Sequence, residues 1–494
     1  MNLIQTLRLS QATIPKFKLP ITFVGAGGKT TALFQLAHEL TTNEGKNQGR
    51  TDPGRPVIIS ATTHLHTNQI SLADSHLIVE KQEDFIRLDE NLRGIILVTG
   101  PLSGNRTTGL KDDLLQWLRE FCLLHDLPLL IEADGSRQRP LKAPANHEPV
   151  IPGWAETVVV VTGLAGLGKP LTEQFVHRPE IFSRLSGLKM GQTITPENLV
   201  HELTNLKGGL KNIPVQARRI ALLNQADSHE LQAQAKWMAA QLLSCYHAII
   251  IASLNPKSAV INFQSTIHAV YEPVAGIILA GGGSFRYGRP KSMLTWHGKP
   301  FIRTVAETAL EAGLSPIVVV TGANAEQVEP VVKDLPVKIV RNVDWQNGQS
   351  SSIYAGLRDL ALLQPPSHLH SHPIPSIHGT LQNSSLLGGE WKRTGAAIFL
   401  LTDQPQITST VIRALCEEHA RTLAPIIAPL VDGQRANPVL FDWVTFPDLL
   451  ALSGDTGGRA LFSKFPVNFL PWHDASILSD VDTPEEYEKL INGG

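Results

Sequence analysis

Short apolar runs, rich in β-branched residues, alternate with longer stretches of helical period along the whole chain. In the first half the runs are Ile21–Val24, Val57–Ser60, Gly94–Val98, Leu127–Ile131, Thr157–Val161, Ile220–Leu223 and Ala248–Ile251. In the second half they are Ala275–Leu279, Pro316–Val320, Val337–Val340, Ala396–Leu401 and Pro425–Ala428. A strand that is apolar on both faces must be covered on both faces. The pattern therefore predicts the α/β class, with two doubly wound, mostly parallel sheets flanked by helices. At 494 residues the chain is too long for one core. The boundary is expected at residues 262–273, NFQSTIHAVYEP, because a new strand and glycine loop follow directly. This gives domains of 1–262 and 273–494, with a Pro-, Ser-, His- and Gly-rich inserted loop at 364–393. Its histidines, His368, His370, His372 and His378, could bind a metal, but a solvated loop is the better reading, because no carboxylate or cysteine accompanies them.

Charge narrows the partners. Only 18% of residues are charged and the net charge is −2, so no basic field for nucleic acid is expected. No run of about 18 apolar residues is present, and no membrane span is expected. Mean hydropathy is −0.01, ordinary for a globular protein. The N-terminal twenty residues lack an export pattern, and Cys122, Cys245 and Cys416 are scattered. These features read as a cytoplasmic protein with reduced thiols.

The run Ala275–Leu279 leads into Ala280-Gly281-Gly282-Gly283-Ser284-Phe285-Arg286-Tyr287-Gly288-Arg289-Pro290-Lys291. Glycines let a backbone approach phosphates closely, and Arg286 and Lys291 add positive charge where a pyrophosphate would leave. The segment resembles the MobA-like nucleotidyltransferase signature LAGGxSxRMGxxK, with Tyr287 where Met is usual. Later landmarks resemble the same family in order: Asn342–Gly348 with Ser351 and Ser352, Leu401–Pro405 around Asp403, Arg435–Phe441, Ser453–Arg459, and Asp480–Glu486. The resemblance implies a Rossmann-like fold. It implies nucleotide contacts from Leu279, Ala280, Gly281, Gly282, Gly283, Ser284, Lys291, Asn342, Gly348 and Ser351. Arg286, Lys291 and Asp403 would be catalytic. Magnesium takes a few carboxylates plus substrate phosphates, and Asp403 at a strand end with Asp482 from another loop would hold Mg²⁺. Asp480 is the alternative to Asp482, which can also be read as a helix cap. Arg289-Pro290-Lys291, Asp403-Gln404-Pro405 and Gly454–Arg459 resemble the molybdenum cofactor cytidylyltransferase branch, so CTP and a molybdopterin-type cofactor are the expected substrates. Nothing in the spacing reads cytosine over guanine. Guanylyl transfer or a sugar-phosphate acceptor stays open.

The first half has its own loop, Gly25-Ala26-Gly27-Gly28-Lys29-Thr30-Thr31, between the run Ile21–Val24 and an apolar helix. A Walker A motif would place Gly where Phe23 stands. The shorter spacing resembles the phosphate loop of Mur-type ligases. Gly25, Gly27, Gly28, Lys29, Thr30 and Thr31 are candidates for phosphate and magnesium contacts, in a P-loop-like domain. Glu132 and Asp134 end a second run near it and are candidates for metal or water positioning, with a capping or salt-bridge role as the alternative. Asn224-Gln225-Ala226-Asp227 resembles a degenerate base-reading NKxD element with Gln225 for Lys, which puts guanine specificity in doubt. Gly25–Thr31, Thr62–His64, Glu132–Arg137, Pro140–Pro144 and His147–Pro152 together resemble the YqeC family, which is associated with selenium-dependent molybdenum hydroxylases. Lys142, His147 and Glu148 lie in its proline-rich stretch as binding candidates, with plain surface structure an equal reading. The combined resemblance implies cofactor maturation for a client molybdenum hydroxylase. The first half would act either in a linked step or as a nucleotide-switched delivery module without turnover.

Overall fold

The computed structural model describes residues 1–9, 20–43, 55–90, 92–254, 266–283, 290–362 and 394–493. The chain forms two compact units, Met1–Tyr271 and Glu272–Gly494. Both are mixed α/β with large, parallel-rich sheets.

The sheet of the first unit has nine strands: β1 (Ile21–Gly25), β2 (Val57–Ala61), β3 (Ser75–Ile78), β4 (Ile95–Thr99), β5 (Leu129–Glu132), β6 (Thr157–Gly163), β7 (Arg218–Asn224), β8 (Ala248–Ser253) and β9 (Thr266–Tyr271). Their order is β9-β8-β7-β6-β1-β5-β2-β4-β3, parallel except for β9 on β8. Strands β2 to β5 lie on one side of β1 and β6 to β9 on the other. The sheet's connections therefore reverse at β1, and open α/β sheets bind ligands beyond the carboxyl ends of their strands at such a reversal. The glycine loop 25–28 stands there. Phe23, Ile59, Leu97, Leu130 and Val159 are buried on one face of the sheet, and two clusters cover the other. Val24, Val158, Val160 and Leu223 pack in one cluster with helical Phe182, Leu199 and Met238. Ile58, Ile96, Val98 and Ile131 pack in another with Leu114, Leu115 and Leu118 of the helix Asp112–Leu124.

The second sheet has eight strands: β10 (Val274–Ala280), β11 (Ile317–Thr321), β12 (Lys338–Arg341), β13 (Ala396–Leu401), β14 (Ile426–Val431), β15 (Gln434–Arg435), β16 (Val439–Asp442) and β17 (Val467–Pro471). The order is β12-β11-β10-β13-β16-β14-β15, with β17 on β14. Adjacent residues alternate between faces, as the pleat requires. Ile278 and Val319 join the cluster under the helices Phe301–Glu311 and Ser409–Thr422. Ile277 and Val318 join the one under the helix Gln349–Leu362.

Three differences from the sequence pattern have physical reasons. The stretch 262–273, expected to separate the domains, contains β9, a half-buried antiparallel edge strand of the first unit, and the units divide at its end, after Tyr271. The second sheet is less parallel than expected, because β16 runs antiparallel to both β13 and β14. Its four residues are all buried, yet the run VLFD is short and ends in Asp, so it carried little signal. β3 and β17 sit at edges with exposed or half-buried residues, and their composition hides them. The 364–393 loop and its four histidines lie outside the described residues.

Among the described residues no helix is long and apolar enough to cross a membrane, and Cys122, Cys245 and Cys416 are free.

Candidate functional site

In the first unit the β1–helix turn requires glycine. Gly25, Gly27 and Gly28 have φ of +97°, +79° and +119°. A Cβ at Gly25 would stand 2.2 Å from the Val161 carbonyl oxygen, and one at Gly27 2.3 Å from the Gly163 Cα. The loop is therefore pressed onto the end of β6. The amides of Gly27 and Gly28 have no backbone acceptor among the described residues, and the helix Lys29–Asn43 begins immediately after them. Open amides at a helix start form an anion-binding concavity.

A buried chain of charges holds this loop. Asp134, just beyond β5, accepts from the Gly25 amide at 3.1 and 3.0 Å through its two oxygens. Lys29 lies 3.1 Å from Asp134 and 3.7 Å from Glu132, and donates to the Gly25 carbonyl at 2.8 Å. Burial alone would lower the Lys29 pKa, but Asp134 and Glu132 outweigh it and raise it. Glu132 is pushed up by burial, only partly offset by Lys29. The Thr30 hydroxyl donates to Glu132 at 3.1 Å and accepts from Gln69 at 2.9 Å. Lys142 then donates to Asp134, the Gly135 carbonyl and Glu148 at 2.7, 2.7 and 2.8 Å. Arg178 closes the chain with two bonds to Glu148, at 2.7 and 2.9 Å. Burial opposes the Glu148 charge, yet the bonds from Arg178 and Lys142 take its pKa down to about 2.

Gly25, Gly27, Gly28, Lys29, Thr30, Glu132, Asp134 and Lys142 thus come together, and Thr31 follows one residue into the helix. His147 does not join them: it is exposed, in the turn before Glu148. Asn224 is fully buried, where a base-reading side chain would need access. Its amide donates to the Gly27 carbonyl at 2.8 Å and accepts from the Leu254 amide at 2.8 Å, so it braces the loop. Asp227 is exposed in the turn before the helix His229–Leu242. Arg178 was missed from the sequence. It lies thirty residues beyond Glu148, with only a following proline to mark the turn.

In the second unit the carboxyl ends of β10 and β13 meet, with the Thr402 hydroxyl 3.5 Å from the Leu279 carbonyl. Ala280 and Gly281 are buried here, while Gly282 is exposed and Gly283 partly so. A Cβ at Gly281 would lie 2.9 Å from the Ser352 hydroxyl. Asn342 donates to Ser351 and Ser352 at 2.8 and 3.0 Å. Gly348, at φ +90°, abuts Gly454 and Asp455 so closely that a Cβ would stand 2.6 Å from their backbone. The landmarks around Asn342, Gly348 and Asp455 therefore face one another. Ser284 and Arg286 lie outside the described residues.

Asp403 follows β13, and its Oδ1 is buried without a hydrogen-bond partner. Burial and Asp480 push its pKa up to about 6 against the pull of Lys291, and Asp482 adds to the rise. Lys291 pairs with Asp482, and Gln404 donates to Asp480. The Val481 amide bonds to the Asp403 carbonyl at 3.0 Å, pinning this loop against the strand end. Among the described residues no three His, Cys, Asp or Glu side chains cluster tightly enough to hold a metal alone. That donor set suits a hard cation completed by substrate oxygens, and the orphaned Asp403 oxygen is where it would bind.

The YqeC protein family model matches residues 21–180, and the MobA-like NTP transferase domain model matches residues 276–468. The chain is 33% identical to the uncharacterized protein YqeC of Escherichia coli, over 42% of this chain and 75% of that one. It is 29% identical to a nicotine blue oxidoreductase of Paenarthrobacter nicotinovorans, over 44% of this chain and 96% of that one. It is 32% identical to a probable molybdenum cofactor guanylyltransferase of Bacillus cytotoxicus, over 18% of this chain and 43% of that one.

Proposed function

The chain belongs to the YqeC family through its first half and carries a MobA-like NTP transferase domain in its second, and we propose on that footing that it transfers a nucleoside monophosphate from an NTP to a molybdopterin-type cofactor. The observation that carries the reading is the partnerless Asp403 oxygen at the end of β13, beside Asp480, Asp482 and Lys291. In this reading the amides of Gly281 to Gly283 and the charges of Lys291 and Arg286 hold the triphosphate. Asp403, with Asp482 or Asp480, would hold Mg²⁺, which supplies charge neutralisation at the phosphates. The acceptor phosphate attacks the α-phosphorus, the bond to the β-phosphate oxygen breaks, and pyrophosphate leaves. The chain's contribution is positioning and electrostatics. Lys291 is the cation poised at the leaving side, and on binding it exchanges Asp482 for phosphate.

CTP is the proposed donor, on the branch resemblance around Asp403-Gln404-Pro405. The likeness to a guanylyltransferase favours GTP as the second reading. The first unit is proposed to bind nucleotide phosphates at the P-loop-like turn 25–31, supported by its open amides, and to assist maturation of a selenium-dependent molybdenum hydroxylase.

The test is pyrophosphate release by the full chain with Mg²⁺, molybdopterin cofactor, and CTP, GTP or ATP in turn. Faster release with CTP is expected. Comparable or faster release with GTP moves the domain to guanylyl transfer. Absence of release with every nucleotide overturns transfer itself. It would favour oxidation–reduction chemistry, the class in the oxidoreductase relative's name.

A further inference from the structure

The two carboxylates of the loop 480–482 are held by different kinds of donor. Asp482 pairs with the Lys291 ammonium, and its side chain is 53% exposed. Asp480 is exposed too, yet it accepts from the side-chain amide of Gln404, which is 3% exposed. Neighbouring carboxylates repel one another, and an exposed one can turn to water. The buried amide opposes that turn. After burial, Asp480 is the largest influence raising the Asp403 pKa, ahead of Asp482.

Gln404 is itself well fixed. Its backbone amide bonds to the Leu401 carbonyl at 3.4 Å, and its carbonyl accepts from the Ile407 amide at 3.3 Å. Its side chain lines a small cleft with Val305, Leu400 and Ile407. Facing it, the Val481 amide donates to the Asp403 carbonyl at 3.0 Å and ties the 480–482 loop to the end of β13.

The kind of donor matters. A lysine that orients a carboxylate also cancels its charge. A neutral amide orients the carboxylate and leaves its full charge for a cation. When Lys291 moves to phosphate, Asp482 loses that partner, while Asp480 keeps Gln404.

We propose that Gln404 is a positioning residue of the transfer site, holding Asp480 toward the partnerless Asp403 oxygen so that both carboxylates face one divalent cation. This rests on the cation reading of that site. Groups that orient metal-binding side chains are typically worth about ten- to a hundredfold in metal affinity.

The test is Mn²⁺ binding by the full-length protein, read from the loss of the free-ion electron paramagnetic resonance signal. The share of binding that Asp403→Asn removes defines the site. Gln404→Met keeps the side-chain volume without the amide and should weaken that share by about tenfold or more. Asp480→Asn should weaken it at least as much, and more than Asp482→Asn does. With Asp480→Asn in place, Gln404→Met should add less than about twofold, because the amide then has no charge to hold. A merely structural Gln404 would show its full loss there. Pyrophosphate release is a separate readout: if it is absent while these Mn²⁺ effects hold, transfer fails and the positioning role stands. Should Gln404→Met not fold by circular dichroism, Gln404→Leu replaces it, and the Asp480 and Asp482 variants decide if neither folds. Unchanged Mn²⁺ affinity in a folded Gln404→Met, the same loss with and without Asp480, a loss in Asp482→Asn equal to or larger than that in Asp480→Asn, or no Asp403-dependent Mn²⁺ binding at millimolar concentration overturns the proposal.

Discussion

A lysine beside aspartates stands at the carboxyl edge of each sheet, and the two sites handle charge in opposite ways. In the first unit the side chains of Lys29, Asp134 and Lys142 are 3%, 3% and 1% exposed, and each is paired with the next. In the second, Lys291 and Asp482 have side chains 16% and 53% exposed, and Asp403 keeps a buried oxygen with no partner. The closed chain satisfies its charges internally, so it shapes the glycine loop whether or not a ligand is bound. The open site leaves a need that a cation and a phosphate would meet. A lysine after a glycine loop is thus compatible with a structural clamp or with a binding site left open, and burial decides which.

Removing the shared carboxylate should break the comparison most visibly. Asp134→Ala leaves Lys29 and Lys142 buried with their common partner gone. It should lower the stability of the first unit by about 3–5 kcal/mol, read as an earlier urea transition. Asp482→Ala, at the exposed pair, should change stability by less than about 1 kcal/mol. Equal losses would erase the distinction.

Activity should respond the other way. Asp403→Ala should cut pyrophosphate release by about a hundred- to a thousandfold while the second unit stays folded. A folded, active variant sinks the assignment of Asp403.

Proton linkage should separate the two sites by sign. The Asp403 pKa is about 6 in the folded protein against an ordinary 3.8, so between these values the native state binds more protons than the unfolded one. Without divalent cation, stability of the second unit should therefore fall as pH rises from about 4 to 6, by at most about 3 kcal/mol. Asp403→Asn should remove that loss. Glu148 is depressed from 4.5 to about 2, so its contribution is present above pH 4.5 and lost as pH falls toward 2. Arg178→Ala should shrink this acid-side loss by about 1–2 kcal/mol. Unfolding curves across pH for the two variants check both signs.

The smallest expected effect tests independence. Lys29→Ala should weaken nucleotide binding by the first unit yet change transfer by less than about twofold, and a 265–494 fragment should stay active. If the folded fragment is inactive and Lys29→Ala is equally dead, the two units act as one machine.

Much of this was legible in the chain. The apolar runs at β1, β2 and β13 mark strands because residues buried on both faces must all be apolar. The glycines at 25, 27 and 28 mark a turn because left-handed backbone and close approach to β6 exclude a Cβ. Asn224 was legible as a motif but not in its role. Its spacing suggested base reading, and only the folded chain shows its amide spent on the Gly27 carbonyl. Arg178 was silent, because residues thirty positions apart carry no local signal of their meeting.

The sequence by itself determined the α/β class, the two glycine loops and the family of each half, since periodicity and short motifs are local properties of the chain. Tertiary structure alone decided which charges are satisfied. It closed Lys29, Asp134, Lys142, Glu148 and Arg178 into one chain of ion pairs and left a buried Asp403 oxygen without a partner. The reason is physical: hydrogen-bond satisfaction and desolvation depend on what the fold brings within about 3 Å, and spacing along the chain does not fix that distance.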